Sequence, residues 1–303
     1  MRESTKGILA MVIACTIWGV APLYWVHLSH VPALEIIAHR TLWSAVTFLV
    51  VLALQGRLRD LIAALSRLRN IAILLLAALM VSLNWLTFVW AVGQGQATEA
   101  SLGYFLFPLV AVLAGRVIYK ERLGALQWGA VALAAGAVVL LTYGLGVAPW
   151  IALILAGSFG LYGVIKKALD LGPVISVIAE VVLIAPAALV LILNASHPAT
   201  QLVGSALETG LLMFSGVLTA VPLILFSYAA RRAPLSTVGL VQYLNPTLQF
   251  FCAVVILSEP FSLWHGLSFP LIWIALALYT FASWRQDRAS TRAASSAASS
   301  STT

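Results

Sequence analysis

Arg40 and Glu180 are ionisable side chains inside long apolar runs, where a charge without a partner is expensive. A guanidinium in such a place can grip a carboxylate through two parallel hydrogen bonds. A carboxyl there can hold a cation or exchange a proton. His39 and Trp43 share a helical stripe with Glu35, and Arg40 and Thr47 lie at its edge. A second polar face comes from Gly239, Gln242, Asn245, Pro246 and Gln249, which fall within about 120° of helical arc. Amides facing lipid would be unsatisfied, so these must face protein or a wet cavity. Pro246 removes a backbone donor and leaves carbonyls that a cavity could use. Tyr104, with Ser101, Phe107, Pro108 and Ala111, makes a matching aromatic face on another run. Asn84 and Trp18 complete the candidate binding set. Packing alternatives stand beside these readings: Arg40 snorkelling next to Glu35, a neutral hydrogen-bonded Glu180, or amides that bond helix to helix.

Other chemistries lack their residues. No Gly-rich loop ends in Lys-Ser or Lys-Thr to cradle nucleotide phosphates, and HExxH, CxxC and paired intramembrane carboxylates are absent. An intramembrane hydrolase or lipid transferase needs a nucleophile with its base, or clustered metal ligands. No catalytic residue, metal site or cofactor is therefore assigned, and the chain does not read as an enzyme. Cys15 and Cys252 lie in apolar contexts and read as small core residues.

The elements that must carry the candidate residues are membrane spans. The chain is 62% hydrophobic and 9% charged, against about 25% charged in a soluble domain. Ten runs have spanning length: about 7–27, 33–54, 71–92, 98–118, 124–143, 148–168, 173–194, 208–230, 235–257 and 262–284. Sixteen of the seventeen Lys/Arg fall on one side of this arrangement, and Arg40 lies within a span. Positive residues stay in the cytoplasm, which puts both termini there, so the net charge of +7 is no nucleic-acid footprint. Loop 55–70 reads either as a membrane-surface helix or as a solvated connector.

The runs form two copies. Residues 88–121 lie over 226–259 at an offset of 138, with Phe88/Phe226, Leu106/Leu244, Pro108/Pro246 and Glu121/Glu259 coincident. Earlier in each copy, Gly19/Gly160, Pro32/Pro173 and Ala38/Ala179 coincide at an offset of 141. Five spans per copy is an odd number, so the second copy must be inverted. The expected fold is an all-α polytopic membrane protein, with ten transmembrane helices in two inverted five-helix repeats at 1–146 and 147–284 and a disordered cytoplasmic tail at 285–303. Segments 5 and 10 differ from the rest, and segment 5 has no polar stripe. With Ala125/Gly129 and Ala132/Gly136 at small-xxx-small spacing, they read as outer struts and a candidate homodimer contact. The other eight segments would wall a cavity. Glu121 and Glu259 are expected to cap the helices that follow them. Arg40 and Glu180 are expected on either side of the midplane, bracketing a ligand or pairing as a gate.

On these residues the chain resembles the RarD-type permeases of the EamA branch of the drug/metabolite transporter superfamily. The likeness rests on IleTrpGlyValAlaProLeuTyr at 17–24, GluIleIleAlaHisArg at 35–40 and GluAlaSerLeuGlyTyrPhe at 99–105. It continues with LysGluArgLeu at 120–123, LeuSerThrValGlyLeuValGlnTyr at 235–243 and SerGluProPhe at 258–261, and spans about 5–284. It implies ten helices in inverted repeats, a bacterial inner-membrane location, and export of metabolites or drugs. In that family the proline of segment 4 usually follows Asn; here Phe107 holds that place, and the Asn appears in the copy as Asn245. The expected function is a secondary transporter, an exporter of small amphipathic metabolites such as amino acids or drugs, working by alternating access. Its partners would be a small-molecule substrate and membrane lipid, with proton binding at Glu180 as the candidate coupling step. Two alternatives stay open: a lipid-linked or nucleotide-sugar carrier, and an intramembrane lipid-modifying enzyme.

Overall fold

Backbone polar groups in lipid must be satisfied within their own segment, and apolar runs of about twenty residues achieve this as helices. The computed structural model describes residues 3–300 except 119, 121–122, 147, 167, 196, 198–204, 231, 233–237 and 239–240. Among these residues every regular element is helical. Helix α1 (Glu3–Gly19) is separated from α2 (Ala21–Trp25) where Pro22 enters the first turn of α2. There follow α3 (Ala33–Leu54), the short α4 (Leu58–Leu65), α5 (Leu68–Gly93) and α6 (Ala97–Ile118). Next come α7 (Ala125–Leu145), α8 (Trp150–Lys166), α9 (Pro173–Leu193) and α10 (Ala206–Ala230). Helix α11 (Leu244–Phe251) runs into a π-helical turn, Cys252–Ile256, and α12 (Leu263–Ser300) closes the fold. Seven described helical stretches, with Thr5–Leu28 across α1 and α2 counted as one, are long and apolar enough to cross a membrane, and α8 and the stretch Leu244–Ile256 are shorter and apolar. The protein is an all-helical polytopic membrane protein.

Helix α12 continues to Ser300, where a disordered tail was expected. The tail is rich in alanine, the strongest helix former, and holds no Gly or Pro to stop the helix. Helix α4 buries Leu61 and Ala64 and leaves Ile62 exposed, so the loop 55–70 carries an amphipathic surface helix packed on α9.

Three helix ends use glycine in the left-handed region, at Gly56, Gly95 and Gly146. Gly56 (φ +66°) and Gly95 (φ +68°) follow α3 and α5, and the next residue bonds back into the helix in each case. Arg57 N–H donates to Leu52 O at 2.9 Å, and Gln96 N–H donates to Ala91 O at 2.8 Å. The tight turn at Gly95 delivers the chain directly into α6. There Glu259 accepts from Ala97 N, Thr98 N and the Thr98 hydroxyl, each at 2.7 Å. Glu259 thus caps α6, not α12, which corrects the expectation from sequence order. A buried carboxylate serves whichever orphan helix donors are nearest in space. Glu121 lies outside the described residues.

Packing is pairwise and tight. Helix α6 packs on α8, α7 on α12, α3 on both α9 and α10, α5 on α8, and α1 on α10. A Cβ added to Gly216 in α10 would sit 2.3 Å from the Trp43 carbonyl carbon of α3. One added to Gly103 in α6 would sit 2.8 Å from Ala152 O of α8. In the α7–α12 seam Ala130, Ala134 and Ala137 are buried with Phe269, Ile272 and Ala275. Ala125, Gly129, Ala132 and Gly136 lie on the exposed face of α7.

Candidate functional site

A cavity of about 400 Å³ lies inside the bundle, lined from α1, α2, α3, α5, α6, α8, α9, α10 and α11. Neither α7 nor α12 contributes a lining residue, so the two struts stand outside the wall as expected.

Arg40 sits seven residues into α3, and its side chain is buried. Its Nε donates to the Thr219 hydroxyl of α10 at 2.7 Å. Its guanidinium lies over the Trp85 ring, 3.9 Å from the centroid, with Trp25 at 5.6 Å. A flat, weakly hydrated cation is suited to such aromatic faces. No carboxylate among the described residues pairs with it. The Thr219 hydroxyl in turn donates a hydrogen bond to Ser215 O at 2.9 Å, which fixes the contact on α10.

Glu180 pairs within its own half and not with Arg40. Lys166 Nζ lies 2.5 Å from Glu180 Oε1, and Tyr162 donates to Oε2 at 3.0 Å. Lys166 also donates to the Ser176 hydroxyl. Of the two alternatives, the Arg40–Glu180 gate is not formed: the carboxylate is held by α8, at Tyr162 and Lys166, one helix turn apart. Both residues line the cavity.

The amide and aromatic faces meet in the same space. Trp18, Asn84, Tyr104, Gln242, Asn245 and Gln249 all line the cavity. Tyr104 donates to Asn84 Oδ1 at 2.9 Å, and Asn84 Nδ2 donates to Leu155 O at 2.9 Å and Ser158 Oγ at 3.1 Å. That amide is spent on joining α5, α6 and α8. Gln249 Nε2 donates to Asn245 Oδ1 at 2.9 Å, while Gln249 Oε1 is buried without a donor among the described residues. Gly239 lies outside those residues.

His39 and Trp43 do not line the cavity. Trp43 Nε1 donates to His39 Nδ1 at 3.3 Å, and the Trp43 backbone faces Gly216. The stripe of α3 that carries them is turned about 100° from Arg40. At Trp43 this stripe packs on α10 against Gly216, and Arg40 reaches the same helix at Thr219.

Sequence reasoning missed Tyr162, Lys166, Trp85, Trp25 and Thr219. The repeat held a signal for two of them. At the offset of 141, Lys166 takes the place of Trp25 and Tyr162 the place of Ala21. Trp25 is buried and lines both the central cavity and a second cleft of about 590 Å³ bounded by Ser29, Pro32, Gly93 and Trp150. It is common to the two linings.

Residues 5–143 match the EamA-like transporter family. Over 295 residues the chain is 40% identical to the "Uncharacterized transporter YojE" of Bacillus subtilis (strain 168), covering 95% of this chain and 98% of the relative. It is 42% identical to "Protein RarD" of Streptomyces exfoliatus, covering 95% and 92%. It is 35% identical to "Protein RarD" of Escherichia coli (strain K12), covering 92% and 95%. One solved crystal structure aligns with a TM-score of 0.58 over 91% of this chain and 98% of its own length. At 17% identity that likeness speaks for the fold alone.

Proposed function

The chain belongs to the EamA-like transporter family, and on that premise we propose that it is a secondary transporter exporting small amphipathic metabolites, such as amino acids or drugs, across the bacterial inner membrane. It works by alternating access between two inverted five-helix repeats, 1–146 and 147–284. The observation that carries this reading is that the cavity is lined by equivalent positions of the two copies. Trp18 and Phe159, Trp25 and Lys166, Phe88 and Phe226, Tyr104 and Gln242, and Phe107 and Asn245 are repeat pairs, and all ten residues line it. The helix seams support the same symmetry. Exchanging the copies maps α6–α8 onto α11–α1, α3–α10 onto α9–α5, and α5–α8 onto α10–α1, and each of these pairs is in contact. A site shared by two such halves opens to alternate sides when one half rocks against the other.

Within this reading, proton binding at Glu180 in exchange for the Lys166 contact is the coupling step. The exposed small-residue face of α7 is where a homodimer contact is placed. The one-sided Lys/Arg pattern supports cytoplasmic termini in this reading. Reporter fusions ending within 55–70 should then read cytoplasm, and fusions at 93–97 the opposite side. The transport test is counterflow in proteoliposomes, using amino acids and amphipathic drugs first screened by thermal shift of the purified protein. A bound solute that is never moved, or is recovered chemically altered, would sink the proposal.

A further inference from the structure

We infer that the cargo is an organic monoanion, its carboxylate gripped by Arg40 and its apolar, preferably aromatic, body laid against the rings of the cavity. This rests on the transport reading and narrows its amphipathic cargo to anions, which sets free amino acids aside.

Among the described residues, three formally charged side chains line the cavity: Arg40, Lys166 and Glu180. Lys166 and Glu180 neutralise each other at 2.5 Å, and Tyr162 occupies the second carboxylate oxygen. One positive charge is left. Arg40 is only 7% exposed, and its hydrogen-bond partner among the described residues is a neutral hydroxyl, reached through Nε. A guanidinium has five N–H donors, so the Nη groups remain available for a planar anion. Trp85 and Thr219 fix the plane of the fork from two helices. An uncompensated cation at membrane depth is costly, and a bound carboxylate removes that cost. Lipid tails cannot.

The same inventory sets aside the neighbouring classes. A zwitterion would bring an ammonium group, and the cavity's carboxylate already carries a cation. A phosphate dianion would ask for a second free cation, and Lys166 is spent on Glu180. A neutral or cationic amphipath would leave Arg40 unpaired. The body of the ligand would meet Trp18, Phe88, Phe107, Phe159 and Phe226, which are sequence-tolerant π and hydrocarbon surfaces. The volume of about 400 Å³ falls among ordinary small-molecule sites, about 300–1,000 Å³.

The test is a charge series on one scaffold, bound to the full-length protein in detergent. The probes are phenylpropionate, phenylalanine, phenethylamine, phenylpropanamide and phenyl phosphate, each with its naphthyl counterpart. Thermal shift and titration calorimetry read binding. The carboxylates should bind about 10- to 100-fold more tightly than the matched amides, the span of a charge-assisted pair. Arg40→Gln should erase that difference, and Arg40→Lys should keep the preference with weaker binding because the fork is lost. Tighter binding of the zwitterion, amine or phosphate, equal binding of all, or no binding of either carboxylate by wild-type protein overturns the inference, whatever the variants do. The two readings fail separately. A carboxylate that binds but does not cross proteoliposome membranes defeats transport alone. An amine or zwitterion that crosses in preference defeats the monoanion alone.

Discussion

Lys166 Nζ lies 2.5 Å from Glu180 Oε1, joining the end of α8 to the interior of α9 across the wall of the cavity. Both side chains are largely out of solvent. Breaking one partner of a buried pair typically costs about 3–5 kcal/mol, because the other charge is left stranded. Lys166→Met and Glu180→Gln should each lower the melting temperature in detergent, and the double variant should recover most of the loss. A double-mutant cycle with coupling near zero would show that the pair does not hold the two helices. Glu180→Gln should also lose any response of transport to an imposed pH gradient. Wild-type gradient dependence in that variant would remove Glu180 from coupling.

Glu259 gives a second prediction, on α6. Its carboxylate takes two backbone N–H groups and one hydroxyl, all at 2.7 Å. Hydrogen bonds to a charged group are worth about 1.5–3 kcal/mol each, so Glu259→Ala should destabilise by at least about 2 kcal/mol. Glu259→Gln should recover little, because its NH2 group would face donors. Hydrogen exchange distinguishes the helix being capped. The amides of Ala97 and Thr98 should lose protection, while the first turn of α12 should not. The opposite pattern would restore the cap expected from sequence order.

Much of this arrangement was legible in the residues. The alternation of apolar runs with Gly and basic clusters located the helices, because a backbone in lipid has few other options. Arg40, Tyr104, Glu180, Gln242, Asn245 and Gln249 were identified from polarity inside those runs, and all line the cavity. What escaped was direction and partnership. Lys166 belongs to a basic cluster at a helix end, so its reading as a surface charge was natural, yet its side chain turns back along α8 to Glu180. His39 and Arg40 are adjacent in sequence, and only the packing of α3 against α10 decides which one faces inward. Glu259 and Ala97 are 162 residues apart, a contact that no local pattern encodes.

The seam between α3 and α10 yields a prediction with an internal control. A Cβ on Gly216 would approach the Trp43 carbonyl carbon to 2.3 Å, and backbone cannot swing aside as a side chain can. Gly216→Ala should therefore cost at least about 1–3 kcal/mol, by analogy with overpacked cores. Gly210, on the same helix, has open space at its Cβ position. Gly210→Ala should be neutral or stabilising by up to about 1 kcal/mol, since Ala is the better helix former. Melting temperatures of the two variants should move in opposite directions or differ plainly in size. Equal behaviour would mean that the helices do not approach as closely as described.

Trp25 lines both the central cavity and the outer cleft, and it is 3% exposed. Tyr24 packs edge-on against it at 4.8 Å, and the Tyr24 hydroxyl donates to Leu211 O of α10. On the topology proposed above, the cleft faces the outside. Removing the indole should then join the two spaces. The test is labelling of a cysteine placed at Val81, a lining residue of α5, after Cys15 and Cys252 are replaced by serine. A membrane-impermeant maleimide added from outside should label this site several-fold faster when Trp25→Ala is also present. Trp25→Phe, which keeps a ring in place, should stay close to the rate seen with Trp25 intact. Losing a large buried ring also costs stability, about 3–5 kcal/mol for a full truncation, so folded protein is selected by size exclusion before rates are compared. If Trp25→Ala leaves the rate unchanged in folded protein, the outer barrier lies elsewhere, and the cleft is not the continuation of the transport path.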